Sequence, residues 1–69
     1  MSTPFEEGLA HHQAGRLEQA VACYQAQLAR DPQHSEALHM FGIAAYQAGD
    51  LDTARTAIER TLAVRFQFP

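Results

Sequence analysis

The chain has 69 residues, a formal charge of −3, five basic residues that are all arginine, and one cysteine, Cys23. That length holds one small domain at most, and a lone cysteine excludes both an internal disulfide and a cysteine-built zinc site. The acidic balance lacks the concentrated basic face that nucleic acid demands, and no stretch approaches the roughly 18–20 apolar residues of a membrane span.

The opening MSTPFEEGLA is acidic, has no long apolar run, and does not read as a secretory signal. It reads as a helix start instead. Thr3 is placed to cap, Pro4 suits the first helical position, and Glu6 completes a capping box. This first helix should run to about Ala14, where Gly15 supplies a residue tolerant of positive φ. A second helix begins near Leu17 and stops before Pro32, because the residue preceding a proline avoids the α region. A third begins near Ser35, with Glu36 favourable in its first turn, and ends at Gly49. Asp50 caps a fourth that reaches about Val64. The connections are short, so neighbouring helices should be antiparallel and the fold class all-α.

The first half is repeated in the second. Gly8 and Gly42 lie 34 positions apart, and the same offset pairs Ala10 with Ala44, Gln13 with Gln47, Ala14 with Ala48 and Gly15 with Gly49. It continues through Leu17/Leu51, Ala20/Ala54, Leu28/Leu62 and Ala29/Ala63, with Leu9/Ile43, Glu18/Asp52 and Tyr24/Ile58 as looser pairs. Helical spacing puts Leu17, Tyr24 and Leu28 on one face of the second helix, and Leu51, Ile58 and Leu62 on the matching face of the fourth. These are expected core positions, as are Leu38, Phe41 and Ala45 on the third helix. A mid-helix glycine costs roughly 1 kcal/mol against alanine, so Gly8 and Gly42 are expected at close helix contacts, opposite the small residues Ala20 and Ala54. Bulk at Gly42 should therefore cost more than alanine at Gly49.

This pattern resembles the tetratricopeptide repeat family. Repeat two carries the resemblance at Leu38, Phe41-Gly42, Ala45 or Tyr46, Ala54, Ile58 and Leu62. Repeat one carries it at Gly8, Ala20, Tyr24 and Pro32, and QAGRLEQAVACYQAQLARDP (residues 13 to 32) is its strongest stretch. The resemblance implies a single domain over residues 1–69: two helix-turn-helix repeats, 1–34 and 35–68, stacked as a short right-handed α-solenoid, with Pro69 where a third repeat would open. The chain departs from the family pattern at Pro4 and Glu7, where bulky apolar residues are usual, so the first helix is expected to pack loosely. It departs also at Gln27 and Thr61, where small residues are usual, and at Phe66, which stands in place of a proline.

No catalytic constellation is visible, so no enzyme activity and no cofactor are expected. Cys23 sits mid-helix without a base or positive neighbour in the sequence, and reads as an unreactive thiol. His11 and His12 diverge by about 100° on a helix and cannot chelate one ion together. His12 and His39 fall on different helices at different heights, and no metal site is expected. Binding remains. The resemblance implies that the first and third helices line a groove for a peptide or partner protein. Carried over by position, that groove would contain Phe5, Leu9, His12, Gln13, Glu36, His39, Met40, Ile43, Tyr46 and Gln47. The lysine–asparagine carboxylate clamp of some family members is absent, because Phe5 and Leu9 stand where it would begin. Met40 replaces the asparagine of another subgroup.

The fourth helix is expected to leave an apolar side open, formed by Ile58, Leu62, Val64, Phe66 and Phe68. A homodimer or larger assembly through that end follows, either by two-fold packing or by exchange of a helix. A cytoplasmic, non-membrane setting fits the lone cysteine. The alternative expectation is the N-terminal piece of a longer repeat array attached to an enzyme, such as a bacterial protein-modifying glycosyltransferase.

Overall fold

Two glycines cut the chain into helical hairpins. The computed structural model describes residues 2–66, with side chains as far as residue 63. The order is α1 (Pro4–Gln13), α2 (Leu17–Arg30), α3 (Ser35–Gln47) and α4 (Leu51–Phe66). Each helix packs on the next: α1 on α2, α2 on α3, α3 on α4. The described residues contain no strand. The all-α reading and the antiparallel repeat plan therefore hold.

The helix ends are made by local chemistry. Thr3 Oγ1 accepts the Glu6 backbone N–H at 3.1 Å, and Glu6 Oε1 accepts the Thr3 backbone N–H at 3.0 Å, which is the expected capping box. Both α1 and α3 end in the same way. Gly15 and Gly49 have φ of 82° and 84°. Gly15 N–H donates to His12 O while Arg16 N–H donates to His11 O, and Gly49 and Asp50 repeat those bonds to Tyr46 O and Ala45 O. This Schellman arrangement satisfies carbonyls that a helix end otherwise leaves unpaired.

One cap had no sequence signal. His34 Nδ1 accepts the Ala37 backbone N–H at 3.0 Å and so opens α3, although histidine is not among the preferred N-caps. Its ring lies against Phe5, with centroids 5.0 Å apart. Gln27, a departure from the family pattern, also has a physical task. Its Oε1 accepts the Phe5 backbone N–H at 3.2 Å, one of the unpaired donors in the first turn of α1. The other departure, Thr61, donates its hydroxyl to Ala57 O within its own helix.

Asp50 caps α4 as expected: Oδ1 accepts the Thr53 N–H at 3.1 Å and Oδ2 accepts the Thr53 hydroxyl at 2.6 Å. These bonds, the side-chain one foremost, hold the Asp50 carboxyl below the ordinary aspartate range. A folded pKa lower than the unfolded one gives stability that is present above the unfolded value and lost as pH falls through the folded value. Acidification below about pH 4 should therefore loosen the start of α4. Amide hydrogen exchange at Thr53 and Ala54 followed against pH checks this. Asp50→Asn, which keeps a capping oxygen without a titrating proton, should flatten that dependence.

The core is one cluster of Ala20, Tyr24, Leu28, Ala37, Leu38, Phe41, Ala44 and Ala57, with Phe5, Leu9, Val21 and Met40 packed against it. Phe5 and Leu9 thus anchor α1, which is not loosely packed, while Glu7 stays exposed.

Two expectations about packing are corrected. Tyr24 and Leu28 are buried and Leu17 is half-buried, but their counterparts Leu51, Ile58 and Leu62 on α4 are exposed by 62, 58 and 48 %. The reason is that α3 covers the stripe of α2, whereas no described element covers the same stripe on α4. The glycines differ as well. A Cβ on Gly8 would lie 2.6 Å from Tyr24 Cε1 and 3.2 Å from Cys23 Cβ, whereas one on Gly42 would meet only Ala57 Cβ at 3.5 Å, an ordinary contact. The close approach exists in repeat one alone, where an aromatic ring stands across from the glycine.

Candidate functional site

The residues expected to form one groove divide between two cavities that share the side of α3. The first, of about 480 Å³, lies between α1 and α3 and is lined by Phe5, Leu9, Ser35, Glu36, Leu38, His39, Met40 and Thr61. The second, of about 490 Å³, lies over α3 and α4. Leu38, His39, Gly42, Ile43, Tyr46 and Gln47 line it from α3, and Ala54, Ile58, Thr61 and Leu62 from α4. Both fall within the usual range of small-ligand or peptide pockets. Leu38, His39 and Thr61 border both, so the two cavities adjoin.

The structure therefore brings Phe5, Leu9, Glu36, His39 and Met40 together, and sets Ile43, Tyr46 and Gln47 beside Ile58 and Leu62. Those two groups of the second cavity read as separate surfaces in the sequence. Ser35 and Thr61 also line the site and carried no signal, being small polar residues without a motif. Gln13 is exposed and lines neither cavity. Val64 and Phe66 lie where no side chain is described, and Phe68 lies outside the described residues.

His12 joins the repeats rather than lining a cavity. Its Nδ1 is 3.2 Å from the Tyr24 hydroxyl and its Nε2 is 2.7 Å from Gln47 Oε1. Gln47 Oε1 can only accept, so Nε2 carries the proton; in the neutral ring, Nδ1 then accepts from the tyrosine hydroxyl. One imidazole thus ties α1 to α2 and to α3. This also gives the buried Tyr24 a partner for its polar end.

A third cavity of about 440 Å³ opens on the other side, between α2 and α4, and is lined by Gln25, Leu28, Ala29, Phe41, Asp52, Thr53, Thr56 and Arg60. Cys23 is half-buried; burial first, and the Glu7 carboxylate second, push its thiol pKa up. That leaves less thiolate, the form that reacts. Burial, with Cys23 beside it, likewise raises the Tyr24 hydroxyl. Among the described residues, no three His, Cys, Asp or Glu side chains cluster as metal ligands. No helix of the described residues is long and apolar enough to cross a membrane.

A family model described as tetratricopeptide repeat matches residues 11–69. No curated protein matches the chain.

Proposed function

The chain belongs to the tetratricopeptide repeat family, and from that premise we propose that it is a protein-interaction module that holds a peptide or a partner's segment against α1 and α3. Repeats of this family act generally as scaffolds without catalysis of their own. The observation that carries the reading is the cavity between α1 and α3. Phe5, Leu9 and Met40 give it an apolar floor, half-buried and held rigid by the core, and the exposed Glu36 and His39 stand at its edge. Rigid apolar anchors with a few polar groups are what a peptide site needs, because little ordering is left to offset on binding. The module also self-associates through the C-terminal end of α4, where Ile58 and Leu62 stand exposed.

A second reading has one observation in its favour. The exposed Ile58 and Leu62 match the residues that α3 covers in repeat one, so a further repeat would cover them in the same way. The chain would then be part of a longer array, attached to an enzyme of the protein-modifying glycosyltransferase type. The reading frame downstream decides it.

The groove is tested with peptides selected from a random display library. Met40→Ala with His39→Ala should weaken their binding about tenfold or more, a loss of about 1.4 kcal/mol. Gln25→Ala and Thr56→Ala, in the cavity on the other side, should leave it unchanged. Peptides that respond to the second pair and ignore the first would place binding elsewhere.

A further inference from the structure

The walls of the groove are joined through α2: α1 packs on α2 and α2 on α3, so the spacing between α1 and α3 rests on a few side chains. A histidine bridges them at each end. At the start of both helices the His34 ring lies against Phe5, with centroids 5.0 Å apart, while its Nδ1 accepts the Ala37 N–H at 3.0 Å. At their far ends His12 reaches from α1 to Gln47 Oε1 on α3 at 2.7 Å, and its Nδ1 stands 3.2 Å from the Tyr24 hydroxyl. Leu9, His39 and Met40, which line the cavity, fall between the two bridges along the helices.

Both bridges depend on an unprotonated Nδ1. A proton on Nδ1 of His34 removes the acceptor that caps α3 and puts a cation at the positive end of the helix dipole. Asp31 and Glu36 flank His34 in the chain and favour the cation. Both are exposed, neither is ion-paired to His34 among the described residues, and water screens such attractions. Glu6, on α1, is held in its capping box. At His12 a proton on Nδ1 displaces the Tyr24 O–H. Tyr24 is fully buried, and His12 is its hydroxyl's one partner among the described residues. A buried donor left without an acceptor is strongly unfavourable. Beside His12, His11 accepts from the Arg16 guanidinium, so the nearest fixed charge is also positive. The two bonds are therefore present above the ordinary histidine range and lost as pH falls through it.

Resting on the peptide groove proposed above, we propose that His12 and His34 are its latches, and that a proton on either loosens α1 from α3, so that the groove holds its ligand at neutral pH and releases it on acidification. The chain stays folded through this change, because α2 still packs on both walls. What falls is the fraction of molecules with the spacing that fits the ligand, and the apparent affinity falls with that fraction.

Peptides selected at neutral pH test the latch when their affinity is measured at about pH 7.5 and about pH 5.5, on either side of the histidine range. The parent should bind about tenfold more weakly at the lower pH, with its helical circular dichroism kept. His12→Asn with His34→Asn places an amide oxygen where each Nδ1 accepts and carries no titrating proton, so it should flatten that loss to about twofold or less. His39 is retained in both proteins. Nitrogen-15 spectra of the parent's imidazoles, read without peptide, should show His12 and His34 protonated on Nε2 alone at neutral pH. Protection of the Ala37 amide against exchange should fall as His34 gains its second proton. An affinity equal at the two pH values, or lost alike by the parent and the asparagine variant, would overturn the latch and leave the groove standing; equal loss would assign the effect to His39 or to the peptide. Rings that carry their proton on Nδ1 at neutral pH would overturn it as well, even where the variant fails to fold. Peptides indifferent to Met40→Ala with His39→Ala would overturn the groove and the latch together.

Discussion

Gly8→Ala lowers the melting temperature of this protein, and Gly42→Ala raises it. The two glycines hold the same place in their repeats and the sequence treats them alike. Alanine at either gains roughly 0.5–1 kcal/mol of helix propensity over glycine. At Gly8 the new methyl arrives 2.6 Å from Cε1 and 2.8 Å from Cδ1 of Tyr24. That ring cannot step aside, because Tyr24 is fully buried and its hydroxyl is bonded to His12. Overpacking of this kind costs about 1–3 kcal/mol, which exceeds the propensity gain. A net loss of about 1–2 kcal/mol lowers the melting temperature by roughly 4–16 °C in a domain of this size. At Gly42 the nearest atom is Ala57 Cβ at 3.5 Å, so nothing opposes the gain. Thermal melts of the two variants at one concentration decide the matter; equal effects of one sign would show that Tyr24 relaxes or that Gly42 is tighter than its geometry.

Tyr24→Ala leaves the chain largely unfolded, whereas Ile58→Ala, at the matching position, leaves the fold of the monomer nearly untouched. Removing a buried aromatic side chain costs about 3–5 kcal/mol. A domain of 69 residues has only roughly 3–10 kcal/mol in total, at about 0.05–0.15 kcal/mol per residue. Tyr24 is also the ring that Phe5 and His12 lie against, at 5.9 and 6.1 Å between centroids, so its loss frees α1 from α2. Ile58 is 58 % exposed, and surface changes of this type stay within about 0.5 kcal/mol. Urea melts at high dilution, where pairing between copies does not contribute, measure the difference. Tyr24→Phe keeps the ring and loses only its bond to His12, so it should fall between the two at about 1 kcal/mol. A Tyr24→Ala variant as stable as its parent would mean that the core cluster is not what holds the hairpins together.

The site was partly legible. The family's groove, carried over by position onto α1 and α3, was enough to name Phe5, Leu9, Glu36, His39 and Met40 as neighbours. It was not enough for His12, whose ring turns to Tyr24 and Gln47, nor for Ile58 and Leu62, which share a cavity with Ile43 and Tyr46. Those depend on rotamers and on how α4 lies across α3, and periodicity carries neither.

What the amino-acid sequence determined alone is the local frame. Thr3 and Glu6 open α1, Gly15 and Gly49 turn the chain at positive φ, Pro32 stops α2, and Asp50 opens α4. Each acts within a few residues of itself, so its effect does not wait on the rest of the fold. The offset of 34 residues settled that the halves are alike. Only the tertiary structure decided where they differ. Tyr24 and Ile58 occupy one position in two repeats, yet the first is buried and the second is not, because burial belongs to a side chain together with whatever covers it, and α3 covers the Tyr24 stripe of α2 while nothing described covers the matching stripe of α4.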